Sequence, residues 1–140
     1  MKACLILAAG LAIWSLQGTA HALEGVTVTP LHDLTETGSG KPITLPRHDI
    51  HVIVSTYDIA PRATLPIHKH PFARYGVVQS GSLEVTNDDT DESRIYKAGD
   101  FIVEMIDQWH RAKNVGDDPV RLLVIDQVEG TVNNTILKDQ

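Results

Sequence analysis

The sequence predicts an all-β domain folded as a single sandwich or barrel, and three observations carry that expectation. Beyond an N-terminal apolar leader, the apolar residues recur in short β-branched runs. Turn chemistry separates those runs, and no amphipathic stretch of helical length lies among them. The length that remains suits one hydrophobic core and leaves no room for a second domain.

The leader comes first. Lys2 supplies a short positive start, residues 3–14 form an uncharged apolar run, and Ala20-His21-Ala22 has the small-residue form of a cleavage site. A membrane-spanning helix needs roughly 20 apolar residues, more than this run holds. Residues 1–22 therefore read as a cleaved signal peptide, which places the protein in the periplasm or outside the cell. Removing 22 of the 140 residues leaves 118. Cys4, the one cysteine, leaves with the leader, and with it go disulfides, thiolate nucleophiles and sulfur-ligated metal sites. The formal charge is −6, and loss of Lys2 makes it −7. An acidic domain with no basic face argues against nucleic-acid partners and against attraction to anionic membranes.

Candidate strands cover residues 26–29, 51–59, 63–70, 75–79, 82–86, 93–96, 101–105, 111–114 and 120–128. Eight or nine short strands are what a sandwich or barrel requires. Gln79-Ser80-Gly81-Ser82 reads as a tight hairpin, residues 87–91 as an acidic loop, and Lys97-Ala98-Gly99-Asp100 and Gly116-Asp117-Asp118-Pro119 as turns. The expected organisation is an N-terminal strand and irregular arm over 23–46, a barrel over 47–130 and a tail over 131–140. Residues 31–46 lack a pattern, and residues 133–140 read as loose.

Six histidines follow the leader. Side chains two apart on an extended strand share a face, so His68 and His70 present two imidazoles together while Lys69 points away. His110 lies on a later strand and joins them only if the sheet closes on itself. His32, His48 and His51 are isolated and read as surface or structural.

The spacing around these residues resembles the two motifs of the cupin superfamily, G-x5-H-x-H-x3-4-E-x6-G and G-x5-P-x-G-x2-H-x3-N. The first falls here on Arg62, His68, His70, Arg74 and Gly81; the second on Gly99, Met105, Asp107, His110 and Asn114. Both histidines and the closing glycine match in the first, as do the first glycine, the histidine and the asparagine in the second. Arg62, Met105 and Asp107 depart from the motifs at turns. Arg74 departs at the fourth metal ligand, where an arginine has no lone pair to give.

The resemblance implies a small single-domain bacterial cupin with a jelly-roll β-barrel, and a divalent metal ion held by His68, His70 and His110. Imidazole accepts Fe, Zn, Mn, Ni and Cu, so the ion is not named by its ligands. Similar three-histidine centres in the superfamily serve thiol dioxygenases, whereas centres that keep the glutamate serve oxalate- and flavonol-cleaving enzymes. Candidates for catalysis beside the metal are Arg74, Tyr75, Glu104 and Gln108. Arg74 either points into the barrel, with a substrate carboxylate or Glu104 between it and the ion, or points outward and leaves Tyr75 to line the pocket. Gln108 shares the parity of His110 and could serve an imidazole's second nitrogen. Trp109 is expected to pack on the opposite side, Asn114 to fix a turn, and Tyr57, Phe72 and Phe101 to belong to the core. Two functions are open: a metal-dependent oxidoreductase of dioxygenase type acting on a small substrate, and a non-catalytic periplasmic module binding a metal or small anionic ligand. A homodimer through sheet edges is compatible with either.

Overall fold

The computed structural model describes residues 25–139, so the leader expected over residues 1–22 lies outside the described residues. Among the described residues there is no helix, hence none long and apolar enough to cross a membrane. The described residues form nine strands: β1 Ile50–Ile59, β2 Thr64–Lys69, β3 Arg74–Ser80, β4 Ser82–Asn87, β5 Ser93–Lys97, β6 Phe101–Val103, β7 His110–Asn114, β8 Val120–Glu129 and β9 Ile136–Leu137. They build two antiparallel sheets in the orders β1-β8-β3-β6 and β5-β4-β7-β2-β9, the packed sheets of a jelly roll.

Strand alternation decides which side chains fill the space between the sheets. In β8, Val120, Leu122, Val124, Asp126 and Val128 are buried and the residues between them are less so. β7 turns His110, Ala112 and Asn114 inward by the same rule. Val78, Leu83, Val85, Ile102, Leu122 and Val124 meet in the core.

Turns hold the register. Gly81 joins β3 to β4 with φ +81°, and a Cβ there would lie 2.8 Å from Val120 Cγ2 and 2.9 Å from Pro119 O. Only glycine fits that approach. Asn114 ties the β7 end down by donating through Nδ2 to the carbonyls of Ile59, Ala60 and Asp118 at 2.8–3.1 Å, and it accepts from Gly116 N.

The arm over residues 32–46 is irregular, as its composition predicts, and lies against the edge of β6, where Gly38 N donates to Val103 O at 2.8 Å. Three expectations are corrected. Residues 26–29 form no strand and are exposed: β propensity makes no ladder without a neighbouring strand to pair with. The strand expected over 101–105 ends at Val103, although Glu104 and Met105 stay buried. Residues 133–140 are not loose up to position 139. Asn134 is only 4% exposed, and β9 adds to the edge of β2 through His68 opposite Leu137 and Lys69 opposite Ile136.

Candidate metal centre

The five-stranded sheet supplies the three imidazoles. His68 on β2 and His110 on β7 are direct cross-strand partners. A register shift between Leu65 and His68 re-aims β2, so that both of these residues line the interior, although they are three apart. His70 lies just past β2, where its carbonyl accepts from Asp107 N at 2.7 Å. The three rings stand 4.5–4.9 Å apart between centroids. One nitrogen from each lies within 4.8 Å of the others, close enough for one ion to reach all three.

The hydrogen bonds fix which nitrogen faces the centre. His68 Nδ1 meets Pro66 O at 2.7 Å, His70 Nδ1 meets Asn134 O at 2.6 Å, and His110 Nδ1 meets Gln108 O at 2.9 Å. A carbonyl only accepts, so each Nδ1 carries the proton and donates, leaving Nε2 with its lone pair. Nε2 of His70 and of His110 are buried with no hydrogen-bond partner. Burial holds all three imidazoles below their ordinary pKa, that of His70 down to about 2, where the nearby Arg74 charge adds to the effect. Neutral rings whose ligand nitrogens gather within 4.8 Å of one another, two of them buried without a partner, are the donor set that a divalent cation needs, so these residues fit a metal ion.

The four-stranded sheet supplies charge. Arg74 points into the barrel and is 7% exposed. Its Nε donates to Asp126 Oδ1 at 2.7 Å and its NH2 group to Asp126 Oδ2 at 2.9 Å. The guanidinium lies 5.8 Å from the Tyr57 ring centre. Burial opposes its charge, but the hydrogen bond and charge of Asp126 outweigh that, and its pKa rises. The outward orientation left open by the sequence is thus excluded. Tyr75 is the one turned away: its hydroxyl donates to Gln127 Oε1 at 3.1 Å and its ring stacks on Phe101. Tyr57, Phe72 and Phe101, expected in the core, are only partly buried; Tyr57 packs against the core cluster and lines the approach to His68 and Arg74.

Asp126 and Asn134 are the residues that the sequence reading missed. Asn134 Nδ2 donates to Asp126 Oδ1 at 2.6 Å, its Oδ1 accepts from Phe72 N at 2.9 Å, and its carbonyl holds His70. The signal for Asp126 was present: it is a charge on the otherwise apolar buried face of β8.

Glu104 is buried, with Oε2 3.6 Å from His110 Nε2. Burial raises its pKa, with the charge of Arg74 opposing. Because burial keeps His110 neutral, this contact is not an ion pair. Gln108 serves His110 through its backbone carbonyl; its side-chain Oε1 instead accepts from Ser39 Oγ in the arm. The second nitrogen of the His110 imidazole is thus served by the Gln108 main chain and not, as expected, by its side chain. Lys69 points away from the site, bonds Asp107 at 2.6 Å and lies over Trp109. His48 and His51 sit on the surface beside Glu129 and Asp49, and His32 stacks on Phe101.

An inner cavity of about 20 Å³ is lined by His68, Arg74, Glu104 and His110 together with apolar core residues such as Leu83, Leu122 and Val124, and His70 is not part of its lining. That is room for about one water-sized particle. A wider groove of about 420 Å³, lined mainly by Tyr57, Ile59, Ala63, Leu65 and Leu137, reaches His68 and Arg74 from outside.

Among solved structures, the chain is similar to an uncharacterised double-stranded β-helix protein from Klebsiella pneumoniae, with 25% identity, a TM-score of 0.50 and coverage of 71% of this chain and 83% of that one. It is also similar to a polyketide cyclase from Streptomyces resistomycificus, with 19% identity, a TM-score of 0.52 and 63% of each chain covered. A Lactobacillus farciminis oxalate decarboxylase in complex with formate matches at 22% identity and a TM-score of 0.51, over 62% of this chain. The match spans only 26% of that enzyme's length. No curated protein matches. The family described as Cupin domain matches residues 55–126, just over half of the sequence and every residue of the centre except Asn134. The two sheets, the inward histidines and that match agree, and the chain belongs to the cupin domain family.

Proposed function

We propose that the protein is an exported metal-dependent oxidoreductase of dioxygenase type, acting on a small substrate at the His68, His70 and His110 centre. The observation that supports this most is the convergence of three Nε2 lone pairs, each fixed by a backbone carbonyl behind it. When bound, a redox-active ion such as iron would supply the chemistry, with coordination positions left for substrate and oxygen. The chain's own part is to hold three neutral donors still and to line the approach to them with an apolar groove wall, at whose inner end Arg74 is held by Asp126. Export rests on the leader composition alone.

A second reading, a non-catalytic metal- or small-anion-binding module, is favoured by the small inner cavity of about 20 Å³ beside His68 and His110, which has room for about one water-sized particle and none for a larger substrate. Metal analysis of natively expressed protein, followed by oxygen uptake with Fe(II) and a panel of thiols, diketones and phenols, separates the two. Iron in the protein and uptake with one panel member are expected. Zinc and silence across the panel would replace the first reading by the second, in which metal raises the melting temperature without turnover.

A further inference from the structure

Glu104 is the feature that neither the cupin motifs nor the three-histidine group accounts for. The first motif places its carboxylate ligand where this chain has Arg74, and Arg74 is committed to Asp126. An acidic side chain nevertheless reaches the same interior from another element, just beyond the end of β6. Glu104 is 8% exposed, and the backbone places it beside Arg74, with Glu104 N donating to Arg74 O at 2.9 Å. Together with His68, Arg74 and His110 it bounds the cavity that holds about one particle.

The contact with His110 has a specific defect. His110 donates through Nδ1 to Gln108 O, so its Nε2 is a lone pair, and Nε2 is buried with no partner. Glu104 Oε2 faces it at 3.6 Å, too far for a hydrogen bond. Two lone pairs that face each other across one small buried space are drawn together when a cation lies between them.

We propose that Glu104 is the fourth protein ligand of the metal ion, replacing from the second motif the carboxylate that the first motif has lost at Arg74. The assignment rests on the three-histidine reading and adds one negative charge to an otherwise neutral donor set. Asp126, held by Arg74 and Asn134, is unavailable for that role. Glu104 closes on an ion held by the three imidazoles by rotation about its side-chain bonds.

The test is made on apo protein titrated with Co(II) and with Zn(II) against a chromophoric chelator, comparing wild type with Glu104→Gln and Glu104→Leu. Both variants are expected to lose at least tenfold in affinity and to change the visible absorption of bound Co(II), which reports coordination number. Their apo melting temperatures should equal or exceed that of wild type, because a buried carboxylate has been removed. Wild-type affinity and spectrum in both variants would overturn the Glu104 assignment while leaving the histidine centre in place. A wild type that binds neither ion would overturn both. Apo variants melting well below wild type would assign the carboxylate to the fold instead.

Discussion

Arg74 and Asp126 are cross-strand partners on β3 and β8, joined by two hydrogen bonds inside the barrel, with side chains only 8% and 7% exposed. A pair this deep costs much more when one member is lost than when both are replaced, because the survivor is a buried charge without a counter-ion. Arg74→Ala or Asp126→Ala should each lower unfolding stability by about 3–5 kcal/mol in urea titrations. The double replacement Arg74→Met with Asp126→Leu should recover most of that loss. A double variant no more stable than the singles would contradict this account.

Asp126 also screens the imidazoles from the guanidinium. Asp126→Asn leaves Arg74 positive and close to His70, whose protonation its charge already opposes. Divalent affinity should fall on the order of tenfold or more, as it does when groups supporting metal ligands are changed. Competition with a chelator measures it, and added salt should restore little because the site is screened from solvent.

Acid should unfold the metal-free protein through its histidines. Burial lowers the pKa of His68, His70 and His110 in the folded state, so below about pH 6.5 the unfolded chain takes up protons that the folded chain refuses. Stability is present above that pH and falls as pH drops toward the folded values, by up to about 1.4 kcal/mol per pH unit for each histidine. Glu104 contributes with the opposite sign: its raised pKa favours folding at low pH, and that contribution is lost as pH rises through the folded value. Chemical denaturation of apo protein between pH 4 and 8 should show the histidine slope, and His70→Gln should reduce it by about one proton.

How much of this was legible follows from where each residue sits. Eight of the nine strands were readable because turn residues bracket them, and His68, His70 and His110 were found because their spacing repeats a known motif. Arg62 and Asp107 stand where the motifs have glycine, and both keep the left-handed backbone, at φ 61° and 51°. Each makes an ion pair, with Asp117 and Lys69 respectively, and aspartate is among the residues that visit this region most readily. The direction of Arg74 was not legible, because parity cannot be counted through the bend at Pro71. Asn134 was hidden for a different reason: its polar neighbours read as tail, and only tertiary contact reveals that it bonds Phe72, Asp126 and His70.

The C-terminal segment should therefore matter to the site. Deleting residues 131–140 removes β9 from the edge of β2 and the Asn134 carbonyl from His70. The truncated protein should melt lower and lose about 10- to 100-fold in metal affinity. Asn134→Ala, which keeps the carbonyl but frees Asp126 Oδ1 and Phe72 N, should have the smaller effect on affinity. Equal affinities in all three proteins would show that the segment only covers the sheet edge.

Gly81 offers a test of the fold away from the centre. Gly81→Ala demands a left-handed alanine and a Cβ 2.8–2.9 Å from Val120 and Pro119, so destabilisation of about 1–3 kcal/mol is expected from the backbone alone. Metal affinity per folded molecule should be unchanged.

The protons on the three inward imidazoles are assigned by main-chain carbonyls, those of Pro66, Gln108 and Asn134. Every amino acid carries such a carbonyl, so no exchange of a neighbouring side chain can turn a ring's tautomer around while the backbone keeps its course. The ligand set is thereby insulated from sequence drift around it: a point substitution can delete a donor, but only a change of chain path can misdirect one.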